Sequence, residues 1–280
     1  MLAYRHLFHA GNFADVFKHA LLTRLLLLMG QKDKPFSYLD THAGIGRYDL
    51  SHAWAQKLSE YKDGIWRLWE RDDIPELLAP YLQIVRAQNR SHQLRFYPGS
   101  PVIARELLRR SDHLVLVELS KEDYGRLAHL FADERRARVI NDDGYHALKA
   151  FLPPLERRGL TLIDSSFDRG GEFERLTQAL VLAHRRFATG VYALWYPLME
   201  PPVMHQFERA FAATGVRKIL QAELSVYGAK WRASLRGCGM MVINPPFGFE
   251  QQARDVLEWL WPALREDQEG GVRVRWLVPE

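Results

Sequence analysis

Short apolar runs that end on an acid set the tightest limit on how this chain can fold. YLD closes on Asp40, LVLVE on Glu118 and LTLID on Asp164, and RVIND leads into Asp143. Runs of this kind, with no polar alternation, suit strands covered on both faces. Stretches with helical spacing separate them, so the chain reads as α/β, with helices packed on a mostly parallel sheet. Strands are expected at 36–39, 113–119, 138–140, 160–163, 191–196, 218–224 and 240–243, with a last one at 272–278 closing the chain. KILQAEL and MMVIN, joined by a polar, Gly-containing stretch, can pair as an antiparallel edge hairpin. Helices are expected at 12–29, 176–184 and 250–260, the first of them amphipathic.

Residues 51–95 differ from the rest. They carry Trp54, Tyr61, Trp66, Trp69 and Tyr81 in a helical pattern with no convincing strand. In a dinucleotide fold the acid ending the second strand follows the first glycine turn by about 20 residues. Here Glu118 comes much later, which implies a helical insert at 51–95 within a core formed by 1–50 and 96–280. Trp66 and Trp69 are expected to form the insert's own small core. At 280 residues, 47% of them hydrophobic and 26% charged, the chain can bury a full core. The lone Cys238 excludes an intrachain disulfide and a multi-Cys zinc cluster. The N-terminus MLAYRHLFHAG lacks the apolar stretch of a secretory signal. No run approaches the ~20 apolar residues of a membrane span. A cytoplasmic protein without a membrane partner is expected. The net charge, 38 − 34 = +4, permits a nucleic-acid partner without requiring one.

The turn after the first strand reads DTHAGIGRY. Asp40 precedes Gly44 and Gly46 at D-x-x-x-G-x-G spacing, and glycines there let the chain turn tightly and a ligand approach the backbone. A nicotinamide site prefers G-x-G-x-x-G, but the third position is Asp49. That argues against an NAD-dependent oxidoreductase and for a cationic, phosphate-free cofactor such as S-adenosylmethionine (SAM). In an open parallel sheet, ligands bind beyond the carboxyl ends of the strands. Asp40, Glu118, Asp143 and Asp164 would share that crevice, with Glu118 accepting from ribose hydroxyls and Asp143 from an adenine amino group. Acids at strand ends also cap helices and turns, and it is their number that favours a nucleoside cofactor.

Two loops could perform amino methylation: Asp164-Ser165-Ser166-Phe167 and Asn244-Pro245-Pro246-Phe247. The adenine N6 lone pair is delocalised into the ring. A side-chain oxygen and a backbone carbonyl, here from Asp164 and Ser165, accept its two N–H bonds and aim the nitrogen at the methyl group. An aromatic, here Phe167, stacks on the base. Asn244 matches better by pattern. By position the loop after the fourth core strand shares the cofactor's crevice, which selects Asp164. His6, His9, His19 and His42 have no Cys partner and no H-E-x-x-H arrangement, and methyl transfer needs no metal, so none is expected. Lys18 and Arg47 are either surface charges or contacts to a cofactor carboxylate or RNA phosphate. Lys230, Arg232 and Arg236 share a loop with Tyr227 and Trp231, a mixture suited to a strand whose base is turned out. Nothing in these residues separates RNA from DNA.

YRH-x-FHAGN-x-AD-x-x-KH at the N-terminus, DTHAG-x-GRY, YPGSP at 97–101, FATG-x-YALWYP, NPP and the terminal WLVPE resemble the RlmJ family along essentially the whole chain. The resemblance implies a class I SAM-dependent methyltransferase (Rossmann-like), a seven-stranded mostly parallel sheet with a small helical insert. It implies methylation of an adenine N6 in 23S ribosomal RNA by a monomer. Family positions map onto His19, His42 and Ser100 as contacts to the cofactor's methionine part and Glu118 as ribose acceptor. Asp143 and Gly144 map as adenine contacts, Asp164 as the catalytic acceptor beside the cofactor, and Tyr4 as a residue at the substrate mouth. The family has Asp-Pro-Pro-Tyr where this chain has Asp-Ser-Ser-Phe. Reduced but surviving activity is expected. The alternatives are a SAM- and nucleic-acid-binding homologue that has lost turnover, and a DNA adenine methyltransferase linked to use of external DNA.

Overall fold

The computed structural model describes residues 5–90, 92–168, 170–228, 230–231 and 235–280. After a 3-10 turn at His6–Phe8, the chain forms α1 (Phe13–Gly30), β1 (Ser37–Asp40) and β2 (Arg47–Asp49). Three helices follow, α2 (Ala53–Leu58), α3 (Trp66–Trp69) and α4 (Ala79–Ala87), and then β3 (Phe96–Pro98). Alternation then sets in with α5 (Ser100–Leu107), β4 (His113–Val117), α6 (Lys121–Leu130), β5 (Ala137–Ile140), α7 (Gly144–Phe151) and β6 (Gly159–Ile163). The chain ends with α8 (Glu172–Arg186), β7 (Val191–Pro197), α9 (Pro201–Ala212), β8 (Ile219–Ser225), β9 (Gly237–Ile243), α10 (Phe249–Leu264) and β10 (Gly271–Val278).

One sheet has the order β10-β8-β9-β7-β6-β1-β4-β5. β5, β4, β1, β6 and β7 are parallel, and β9 enters antiparallel between β7 and β8. The bare apolar strands are the central ones: every residue of β1 and β6 is buried. The sheet has eight strands, not seven. β10 adds itself antiparallel to β8, and Arg273 and Arg275 on it reach Glu223 and Glu208, which holds the extra strand in register. The expected pairing of KILQAEL with MMVIN is the β8–β9 ladder.

α1 is not amphipathic. All of its 18 residues except Leu27 and Gly30 are buried. One side packs on the sheet and α10, where Arg24 donates to Gln252. The other side is covered by residues 61–85, with Ile65 N–H donating to the Gly11 carbonyl (2.8 Å) and Arg24 reaching the Leu77 carbonyl. Asn12 caps the helix by accepting from Asp15 N–H. Tyr61, Ile65, Leu68, Trp69, Tyr81 and Val85 therefore share one core with α1 instead of building a separate one, and Trp66 stays half-exposed. A short antiparallel ribbon, which no sequence pattern indicated, joins the ends of this helical segment: Arg47 pairs Pro98, Tyr48 pairs Tyr97 and Asp49 pairs Phe96.

Candidate active site

The parallel registers carry the ends of β1, β4, β5 and β6 to one edge of the sheet. There Glu118 accepts from Gly44 N–H (2.9 Å) and Ser120 N–H (2.8 Å), pinning the glycine turn to the start of α6. Burial pushes its carboxyl pKa up, partly offset by those bonds. Asp40 lies deeper, fully buried beneath the turn. It accepts from the Tyr38 hydroxyl (2.8 Å) and His42 N–H (3.3 Å), and the Ser100 hydroxyl also bonds to it. Burial raises its pKa to about 6 against those donors. His42 Nδ1 meets the Thr41 hydroxyl at 2.8 Å, and burial pushes the ring's pKa down.

Asp143 is the N-cap of α7, accepting from Tyr145 and His146 N–H, and its other oxygen lies 3.7 Å from Arg175. Gly144 packs directly on the turn after β1. A Cβ at that position would sit 2.1 Å from the Thr41 carbonyl oxygen, a backbone atom that cannot swing aside. Gly144→Ala is expected to push α7 off the turn, costing about 1–3 kcal/mol of stability, as overpacking does, and weakening SAM binding at least several-fold. Denaturant unfolding and SAM titration check both.

The acid ending β6 has a partner that sequence reasoning left undecided. Lys18 Nζ lies 2.6 Å from Asp164 Oδ2 and 2.8 Å from Asp15 Oδ1. Asp15 Oδ2 in turn meets His6 Nε2 (3.0 Å) and Gly11 N–H (2.9 Å). Burial opposes the ammonium charge, but the two carboxylates outweigh it and hold Lys18 well above its ordinary pKa. Burial likewise opposes charge on Asp15, and His6, Lys18 and His19 outweigh it, holding that carboxyl well below its usual range. The Asp15-x-x-Lys18 pair in a largely apolar helix was the available signal, since buried charges are paired. His19 sits one residue on, with Nδ1 2.7 Å from the Tyr97 hydroxyl, which also contacts Tyr81. Burial, with Lys18 nearby, keeps the His19 ring neutral. Its Nε2 is buried without a hydrogen-bond partner among the described residues. So is Ser165 Oγ, although the Tyr145 phenol lies near it. Unsatisfied buried polar atoms of this kind are uncommon. A ligand with polar groups at both ends, as SAM has, would satisfy them, so these residues fit that cofactor.

Phe167 takes a positive φ of 52° and turns its ring edge-on to Phe173 (5.0 Å) and Trp195 (5.9 Å). Asn244 lies at the opposite end of the sheet. β9 is antiparallel, so Ile243 pairs with Tyr192 near the start of β7, whereas Ile163 pairs with Leu194 further along it. Asn244 donates to the Ala188 and Gly190 carbonyls (2.8 Å each), and Phe247 is fully exposed. Asn244→Ala is therefore expected to cost some stability and to leave methyl transfer per folded molecule within about twofold, since surface changes away from the site are mild. A loss matching that of an Asp164 variant would overturn the assignment of the reactive loop.

The loop between β8 and β9 lies at the same edge as Asp164, because Ser225 pairs Gly237 and Cys238 pairs Pro197. Tyr227 and Trp231 stack there, 4.1 Å apart and nearly parallel. Lys230 is exposed beside a hollow that also includes Asp267 and Glu269. Arg236 donates to Ser225 Oγ and the Met199 carbonyl. Tyr4 and Arg232 lie outside the described residues. His9 pairs with Glu60, and Arg47 lies over the Phe96 ring. No described helix is long and apolar enough to cross a membrane.

A sheet of this order, with a glycine turn after its central strand and acids along its carboxyl edge, defines a Rossmann-like methyltransferase fold. Comparison with known proteins narrows the class. Residues 33–278 match the family described as Ribosomal RNA large subunit methyltransferase D, RlmJ, and the chain belongs to that family. Ribosomal RNA large subunit methyltransferase J of Escherichia coli K12 is 48% identical over 280 residues, covering all of both chains. The protein of the same name from Haemophilus influenzae is 43% identical, again over both full lengths. A crystal structure of protein LPL1258 from Legionella pneumophila is similar at a TM-score of 0.89 and 37% identity, covering 96% of this chain and 98% of that one.

Proposed function

We propose that this protein transfers a methyl group from SAM to the N6 of an adenine in 23S ribosomal RNA. The observation that carries the reading is the setting of Asp164. Lys18 engages Oδ2, and Oδ1 has no partner among the described residues, which leaves it to accept from a substrate N–H. When bound, SAM supplies an electrophilic methyl on sulfonium, and the rest is positioning. Glu118 takes the ribose hydroxyls, Asp143 and Gly144 the cofactor adenine, and His19, His42 and Ser100 its methionine part. Asp40 and Gly44 shape the turn beneath. Asp164 and the Ser165 carbonyl accept the two N–H bonds of the target amine, and the Phe167 ring stacks on the base.

Tyr4, Lys230, Arg232 and Arg236 serve the RNA in this reading. Residues 1–50 and 96–280 are the methyltransferase core and 51–95 an inserted helical subdomain. The protein works as a cytoplasmic monomer. The test is methyl transfer from labelled SAM to unmodified 23S RNA, followed by digestion to nucleosides. Label in N6-methyladenosine is expected. A protein that binds SAM and gives none, on RNA or DNA, overturns the proposal.

Ser165 and Ser166 favour a slower enzyme than relatives with prolines there, since each proline fixes φ. Replacing both serines with proline is expected to raise kcat about three- to tenfold. That corresponds to about 0.3–0.7 kcal/mol of avoided ordering per residue, near the low end of what a compatible proline saves. No gain in single-turnover rate would show that this loop does not limit the reaction.

A further inference from the structure

The reactive loop has serines where two prolines would restrain it, and the structure shows side chains that supply part of that restraint. Among the described residues, no backbone hydrogen bond ties 165–168 to the rest of the chain. The loop is instead gripped by side chains at its ends. At the start, Asp164 is held by Lys18, and Ser165 is buried beside Tyr145. At the end, Glu172, the first residue of α8, is buried and accepts a hydrogen bond from the Tyr145 hydroxyl. Arg175 completes the cluster. It bonds the second Glu172 oxygen (3.3 Å), covers the Tyr145 ring at 4.6 Å and approaches Asp143 at 3.7 Å. One phenol thus touches the beginning of the loop and clasps its end, from the helix that also carries the proposed adenine contacts Asp143 and Gly144.

We infer that Tyr145 and Glu172 form a latch that holds residues 164–168 in reactive geometry, a positioning task that the two prolines of the Asp-Pro-Pro-Tyr pattern would otherwise perform. Tyr145 and Glu172 are positioning residues, acting through Asp164 and the Ser165 carbonyl. The inference rests on the proposed methyl transfer for its catalytic consequence but not for its structural one.

The test is Tyr145→Phe made in two backgrounds, the natural Ser165-Ser166 chain and the chain with both serines replaced by proline. Two readouts are taken, hydrogen exchange of the 164–168 amides without cofactor and kcat with saturating SAM and RNA. In the natural background the variant should speed exchange in the loop several-fold and lower kcat about tenfold, as small misplacements of reacting groups do. KM for RNA should change little. In the proline background both effects should shrink to about twofold or less, because coupled sites are not additive. Glu172→Gln, which keeps an acceptor for the phenol, should fall between natural protein and Tyr145→Phe, and it is a second route if Tyr145→Phe folds poorly. Equal effects in both backgrounds, or loop exchange unmoved in the natural one, would overturn the latch. If no variant transfers methyl at all, the function proposal fails while the exchange data still decide the latch.

Discussion

Asp164→Ala is expected to lower methyl transfer by about 10²- to 10³-fold, the usual cost of removing one preorganised group from a reacting centre. Two effects combine in that variant, because the same carboxylate also faces the buried Lys18. Asp164→Asn separates them. Its amide oxygen can turn toward the Lys18 ammonium and satisfy it, and the NH2 group then faces the substrate amine and cannot accept its N–H. The asparagine variant should therefore recover most of the stability lost in the alanine variant and little of its activity. Parallel measurement of Tm, SAM affinity and single-turnover rate checks this. An Asp164→Asn protein as active as the natural one would remove the carboxylate from the mechanism.

Lys18→Met is expected to be the most destabilising single change, at about 3–5 kcal/mol near neutral pH, the cost of breaking a buried ion pair from one side. It leaves Asp15, almost wholly inaccessible, without its ammonium partner, and Asp164 without its anchor. The pH dependence has a definite sign. The folded pKa of Lys18 is raised, so its contribution is present below about 10.5 and lost as pH rises through the folded value. The folded pKa of Asp15 is depressed, so its contribution is present above 3.8 and lost as pH falls through the folded value. The deficit of Lys18→Met should thus be largest between pH 5 and 9, as an estimate from those limits, and narrow as the carboxylates protonate. Denaturant unfolding at pH 7 and at about pH 3, below the ordinary carboxylate value, measures it. A constant deficit would mean that the aliphatic stem of Lys18, not its charge, is what the core requires.

Most of the sheet was legible because its strands are bare apolar runs closed by acids, a pattern that surface elements do not imitate. The choice of Asp164 over Asn244 rested on position in the strand sequence. The geometric reason is that β9 runs antiparallel and delivers Asn244 to the far edge. What escaped depends on contacts distant in sequence. Three-residue strands such as β2 and β3 have no period to read. The apolar face pattern of α1 suggested a solvent side, and only the packed insert shows why that side carries leucines too. The partners of Lys18 lie 3 and 146 residues away, and the nearer one could have been read from the helix itself. Burial of Ser165 beside Tyr145 could not.

The packing of α1 against α10 bears on how the chain is made. Arg24 and its partner Gln252 are 228 residues apart. At ordinary elongation rates of about 5–20 residues per second, the first helix leaves the ribosome roughly 10–45 s before the helix that covers it. During that interval the α10 side of LLTRLLLLM, the most apolar stretch of the molecule, is exposed, and for the earlier part of it Lys18 lacks Asp164, which lies 146 residues further on. Completion of the packing around α1 is thus expected only when the C-terminal part of the chain has emerged. A ribosome stalled before residue 249 is expected to hold a chain whose leucine helix is uncovered on its α10 side, an aggregation-prone species.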